Sequence, residues 1–218
     1  MADNNQQVPW TDEQWARVRK VIQEEAARAR VAAGFLPLVG PLPGNTDYVT
    51  ADTISYGEAG SAKLQIEDKT TVQLPTLQVR VFLRGAQMAD PDMDSALQLF
   101  RRAANILARL EDTIVFGGLA GAGRLPPKAS PVAQVLGGQP TNGLLQARPA
   151  KEAHLVGPKT EENRLVGAVS ACIGELEADG HFGPFAVAFG HGFFTEVQTP
   201  ERGSLVLPQD RIIPFLGG

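Results

Sequence analysis

From Trp15 the apolar positions Val18, Ile22, Ala26, Ala29 and Ala33 recur at intervals of three and four, while Arg17, Lys20, Glu24 and Arg28 fall on other faces. That period predicts an amphipathic helix with one packing side. Its start is specified locally: Thr11 is a good N-cap, Gln14 is placed for a reciprocal capping box, and Trp10 and Trp15 occupy the two positions of a hydrophobic staple. Gly34 can end it.

Between Tyr48 and Leu83 the helical period gives way to alternation and to Val, Ile and Thr. Leu64, Ile66, Thr70, Val72 and Leu74 predict extended strands with a turn near Gly57 to Ser61, and from Leu77 to Leu83 apolar residues alternate with Gln78 and Arg80. A long hairpin with one polar face fits, and a two-stranded ribbon is marginal by itself in water. It needs another surface to lie on.

Asp90 followed by Pro91 predicts the cap and first position of a second helix, along which Met93, Leu97, Phe100, Ala104, Leu107, Leu110 and Ile114 form an apolar ladder as far as Phe116. This is the longest predicted helix. A third runs from Thr160 to Ala178 with Leu165, Val169, Cys172, Ile173 and Leu176 on one face and Gly180 as its stop. The continuously apolar run Pro184 to Phe189 predicts a strand covered on both sides, and a last short helix is expected around Pro208 to Leu216.

Composition narrows the class. The 218 residues, 43% of them hydrophobic, can fill one large domain or two small ones. A net charge of -4 with scattered basic residues gives no footprint for nucleic acid. Cys172 is the single cysteine, so no intrachain disulfide forms and zinc sites needing several thiolates are excluded. Neither a secretion signal nor an apolar run of about 20 residues is present, so a cytoplasmic protein without a membrane partner is expected.

Candidate chemistry is thin. Asp179, His181, His191 and Glu196 are the one cluster that could imitate a catalytic or metal constellation, but their spacing fits no helical metal motif and turn or surface histidines explain them. The glycines from Gly117 to Gly123 follow a helix rather than a strand and lack the Lys-Ser/Thr ending of a phosphate loop. No nucleophile elbow is present. No catalytic residue and no metal site is expected.

Five features in sequence order resemble the encapsulin shell proteins: the Trp15 helix, the Gly40-Pro41 turn, Leu74-Pro75 leading into an alternating strand, Glu111-Asp112 with Ile114, Phe116 and Gly118, and Asp179-Gly180 with Gly183-Pro184 and Phe185. The resemblance implies an α+β chain with the HK97-like fold of tailed-phage major capsid proteins. It implies a peripheral domain from residues 1–44 and 86–128 with a long spine helix, an extended loop over 45–85, and an axial domain over 129–218. Copies are then expected to close into an icosahedral shell, with the extended loop across a neighbour.

In that family the N-terminal helix faces the lumen and helps form a groove for the targeting peptide of a cargo enzyme, a peroxidase or a ferritin-like protein. Carried onto this chain, the cargo-binding candidates are the exposed side of Val21, Glu25, Arg28 and Ala29, with Leu36 and Leu38 beyond the helix. The loop Thr199, Pro200, Glu201, Arg202, Gly203 and Ser204 stands where the family lines its five-fold pore, a setting in which rings of charge control ion passage.

Two departures stand out. Some members stack a flavin on a tryptophan just after the alternating strand; Met88 stands there instead, so no cofactor is expected. The chain also stops at Gly217-Gly218, where members continue with further strands, so an incomplete chain is expected, with a second polypeptide or a shortened relative as alternatives. The rival functions are a phage or prophage capsid protein and, more remotely, a hydrolase or metal enzyme built on His181 and His191.

Overall fold

The structure, a computed structural model, describes residues 8–56, 64–119, 132–146, 163–200 and 204–217. It is mixed α and β and divides into two compact units, Met1–Gly143 and Leu144–Gly218.

In the first unit, α1 (Asp12–Ala29) starts as its sequence dictates. The Gln14 N–H donates to Thr11 Oγ1 at 3.3 Å and the Thr11 N–H donates to Gln14 Oε1 at 3.0 Å. Trp10 and Trp15 meet edge to face with ring centroids 5.2 Å apart. The helix ends earlier than Gly34: Arg30 is extended at the C-cap, and a single 3-10 turn, Ala32–Gly34, follows.

The expected hairpin is two separate pairings. β1 (Tyr48–Tyr56) and β2 (Leu64–Gln73) form an antiparallel ribbon running from Tyr48 opposite Gln73 to Tyr56 opposite Leu64, with a register shift between Ala51 and Thr53. β3 (Pro75–Val79) turns away and pairs instead with β4 (Ala133–Gly137), placing Leu77 opposite Val135 and Val79 opposite Ala133. Those four side chains share one face and pack on Ile106, Leu110 and Ile114 of the long helix, while Thr76 and Gln78 point outward and are exposed. A one-residue slip would turn this apolar set to water, so burial fixes the register.

The long helix, α3 (Asp94–Gly117), begins later than Asp90 and Pro91 suggest. Asp90 instead ends a five-residue helix, α2 (Gly85–Ala89), and Met93 takes a left-handed conformation with its side chain fully buried. The apolar demand of Met93, packed with Trp10, Val18 and Ala96, outweighs the local helix-start signal. α3 is then buried on two sides, against α1 by Ala96, Leu97 and Phe100 and against the β3–β4 sheet by Ile106 and Leu110.

The second unit is helical among its described residues. α4 (Arg164–Ala178) buries Leu165, Val166 and Val169 against Val197 of α5 (His191–Val197) and Ile212 of α6 (Pro208–Ile212). α6 runs on into a 3-10 turn, Ile213–Leu216. Residues 160–162 of the expected third helix lie outside the described residues.

The covered strand expected over Pro184 to Phe189 does not form. That segment is irregular, with Phe185 and Val187 half-buried and Ala186, Ala188 and Phe189 exposed. Val187 packs on the helical cluster and the Phe185 N–H donates to the Leu216 carbonyl at 2.9 Å. A continuous apolar run needs ladder partners to become a strand, and the described neighbours of this one are helices. The following helix, α5, carries Phe193 and Phe194 and was not evident in the sequence.

Candidate functional site

Of the residues expected on a docking face, α1 brings together Val21, Glu25, Arg28 and Ala29, since intervals of four, three and one keep them on neighbouring turns of one side. Arg28 is exposed, Val21 and Ala29 are half-buried, and past the 3-10 turn Leu36 is half-buried and Leu38 exposed.

Glu25 departs from expectation: it is buried, with 5% of its surface exposed. Its Oε1 accepts from Asn105 Nδ2 of α3 at 2.8 Å and its Oε2 accepts from Arg28 Nη2 at 2.7 Å. The reason lies in spacing, because Val18, Ile22, Glu25 and Ala29 follow one another by four, three and four and so share the packed stripe. A buried carboxylate requires hydrogen-bonded or charged partners, and α3 supplies one. The Asn105 hydrogen bond holds the Glu25 carboxyl below the usual carboxylate range; burial pushes the other way, and the hydrogen bond and charge of Arg28 and the charge of Arg101 add to the lowering.

The chain beyond α1 is tied to the far end of α3. Arg30 Nε meets Glu111 Oε2 at 2.8 Å. One oxygen of Asp112 accepts the Ala32 N–H at 2.9 Å, and the Val31 N–H lies 3.0 and 3.2 Å from the two carboxylate oxygens. Phe35 lies against Phe116, ring centroids 6.1 Å apart. Glu111, Asp112 and Phe116, three of the residues that carry the family resemblance, are thus the anchors of the segment that follows the first helix.

Held this way, the segment presents an apolar strip to the surface: Val31, Phe35, Leu38, Val39 and Leu42 are all exposed, Val39 at 87%.

Asn105 is the residue of this site that the sequence pattern was not read to include. A signal exists: an asparagine midway along an otherwise alanine- and leucine-rich helix is a weak helix former, and only a specific partner justifies it there.

In the second unit the expected pore loop is described in part. Glu201, Arg202 and Gly203 lie outside the described residues. Thr199 Oγ1 donates to the Thr195 carbonyl at 2.6 Å, Pro200 is exposed, and Ser204 Oγ accepts the Val206 N–H at 3.1 Å and donates to the Val206 carbonyl at 3.3 Å.

The histidines are dispersed. His181 is exposed in the turn after α4, with its N–H donating to the Leu176 carbonyl at 2.9 Å, and His191 is exposed at the start of α5. Glu196 is committed to Arg164, Oε1 to Nη2 at 2.6 Å. Among the described residues no group of three or more His, Cys, Asp or Glu could hold a metal ion, and no helix is long and apolar enough to cross a membrane.

Residues 3–125 match the Linocin_M18 family, described as encapsulating protein for peroxidase. Among curated proteins none matches the chain. The match takes in α1, the ribbon and the whole of α3 with its Glu111-Asp112 terminus. Since it covers more than half of the 218 residues, the chain belongs to the encapsulin shell-protein family, whose members are encapsulating rather than catalytic proteins.

Proposed function

We propose that this chain is the repeated subunit of a closed icosahedral shell with an HK97-like fold, a cytoplasmic nanocompartment that encloses a cargo enzyme. The family description names a peroxidase as what such proteins encapsulate, and a peroxidase is the cargo we assign, with a ferritin-like iron-storing protein as the other candidate. Chemistry belongs to the cargo, and the shell contributes enclosure and selective passage.

The observation that carries the reading is the β1–β2 ribbon. Its two strands pair with each other and, among the described residues, with no third strand, and Tyr48 and Ile66 are well exposed on it. An isolated two-stranded ribbon is at best marginally stable, and its open edges invite pairing with another chain. A second copy of this chain supplies what it lacks. In the proposed arrangement residues 45–85 form the extended loop, 1–44 and 86–128 the peripheral domain, and 129–218 the axial domain, whose Thr199 to Ser204 loop lines a pore.

Cargo capture is assigned to the face of α1 and the strip after it. Arg28, Ala29 and Val21 offer a cation beside apolar surface, and Leu36 and Leu38 extend that surface. Glu25 serves this face by positioning α1 rather than by touching cargo.

Sedimentation of the purified full chain tests assembly. A single fast boundary of many subunits is the expected result, and a compact monomer at every concentration contradicts it. Co-production with a peroxidase that carries its own terminal peptide tests capture: Leu38→Asp is expected to cut co-purifying cargo at least tenfold, about 1.4 kcal/mol of lost binding, with particle size unchanged.

A further inference from the structure

α1 is held on α3 by two kinds of contact divided along its length. Its N-terminal half packs through apolar side chains, Trp10, Trp15, Val18 and Ile22 closing on Met93, Ala96, Leu97 and Phe100. Its polar tie there, Arg17 donating to the Pro91 and Asp92 carbonyls at 3.4 and 2.7 Å, involves no carboxylate. Beyond Ile22 the packing side chains shrink to Ala26, Ala29 and Ala32, and small side chains bury little area and gain correspondingly little transfer free energy.

What takes their place is a row of carboxylates. Glu25 accepts from Asn105 and Arg28, Glu111 pairs with Arg30, and Asp112 accepts the N–H groups of Val31 and Ala32. An ionised carboxylate is an acceptor at both oxygens, and its hydrogen bonds are about twice as strong as neutral ones. Glu25, buried between the two helices, is the member of this row that sets the halves apart in how they respond to protons.

We propose that acid undocks the C-terminal half of α1, with the turn that follows, while the tryptophan end stays packed, making α1 a proton-sensitive latch hinged near Ile22. Both charged groups that face Glu25, Arg28 from α1 and Arg101 from α3, favour its ionised form. Arg30 faces Glu111, and Asp112 faces backbone N–H groups. Since the folded-state Glu25 carboxyl titrates below its ordinary range, its contribution is fully present above the unfolded value of about 4.3. It is lost as pH falls through the folded value. Burial of Trp10 and Val18 carries no such dependence. The Phe35 contact with Phe116 limits how far the released turn travels. The latch rests on the contact of α1 with α3 alone and holds whether or not this face takes cargo.

Hydrogen exchange of the full chain, corrected for the intrinsic effect of pH, tests it across a series from neutral pH down to about pH 2.5, well below the ordinary carboxylate range. On acidification amides 24–33 are expected to accelerate roughly ten- to a hundredfold more than amides 12–20, the range for losing a hydrogen bond to a charged group. In the double variant Glu25→Gln with Asp112→Asn that difference between the halves is expected to vanish. Equal acceleration of both halves in the natural chain, or an undiminished difference in the double variant, overturns the proposal. Should the double variant fail to fold, Asn105→Asp places a second carboxylate beside Glu25 and is expected to raise the midpoint for amides 24–33 by about one pH unit or more; an unmoved midpoint overturns it equally.

Discussion

Asn105 and Glu25, eighty positions apart in sequence, meet between α3 and α1 through a hydrogen bond of 2.8 Å from the amide nitrogen to the carboxylate. Glu25 is the one charged residue buried among those described. Removing Asn105 leaves one buried oxygen of Glu25 without its donor while Arg28 still holds the other, and a buried acceptor left unsatisfied costs more than the bond itself contributed.

Asn105→Ala should therefore make the protein more acid-labile. The variant loses the largest influence that lowers the Glu25 carboxyl and keeps the burial that raises it. A higher folded-state pKa means that stability is lost at a higher pH as acid is added. Acid titration followed by circular dichroism should show a midpoint above that of the natural chain, and an identical midpoint would show that the contact does not govern Glu25.

Asp112→Ala removes the acceptor of the Val31 and Ala32 N–H groups. Losing a cap of this kind costs about 1 kcal/mol. Asp112→Asn keeps an acceptor oxygen and should cost less. Denaturant titration orders the three proteins, and equal midpoints for Ala and Asn would reject the capping role.

Much of this was legible beforehand. The Thr11 capping box and the Trp10–Trp15 staple are local signals, and the structure reproduces them residue for residue. The α3 ladder was equally plain because twenty-four residues of one period outweigh local ambiguity. Non-local information was harder to read. Asp90-Pro91 is a sound helix start in isolation, yet the long-range pull of Met93 into the Trp10 cluster moves the start to Asp94. Pro184 to Phe189 has the composition of a strand, but composition does not say whether strand neighbours exist. Glu25 was misplaced because a charged residue reads as a solvated one, although its place in the Val18, Ile22, Ala29 stripe pointed inward.

Gly118 sits at φ 74° and ψ 174°, a region essentially restricted to glycine, and a Cβ there would strike the backbone of Thr141 and Gly143. Gly143 is its counterpart, since a Cβ on it would strike Phe116 and Gly118 backbone atoms. Either glycine changed to alanine should cost about 1 to 3 kcal/mol or more. Gly180, also at positive φ but with open space around it, should cost only the conformational term of about 1 to 2 kcal/mol when changed to alanine. Thermal melts of the three variants test the order.

Leu110→Ala empties a fully buried position between α3 and the β3–β4 sheet and should cost about 2 to 5 kcal/mol. Ile66→Lys acts differently. Ile66 is 70% exposed on the ribbon, so the subunit should keep its stability to within about 0.5 kcal/mol while assembly falls. Chemical denaturation of the subunit beside sedimentation of the assembly separates the two effects; a destabilised subunit with normal assembly would contradict the role given to the ribbon.

The proposed shell requires copies of this chain to close on one another. Electron microscopy of the purified full-length protein tests it most directly: uniform hollow particles of one diameter are predicted, and a field of dispersed single subunits under conditions where the chain is folded would contradict it.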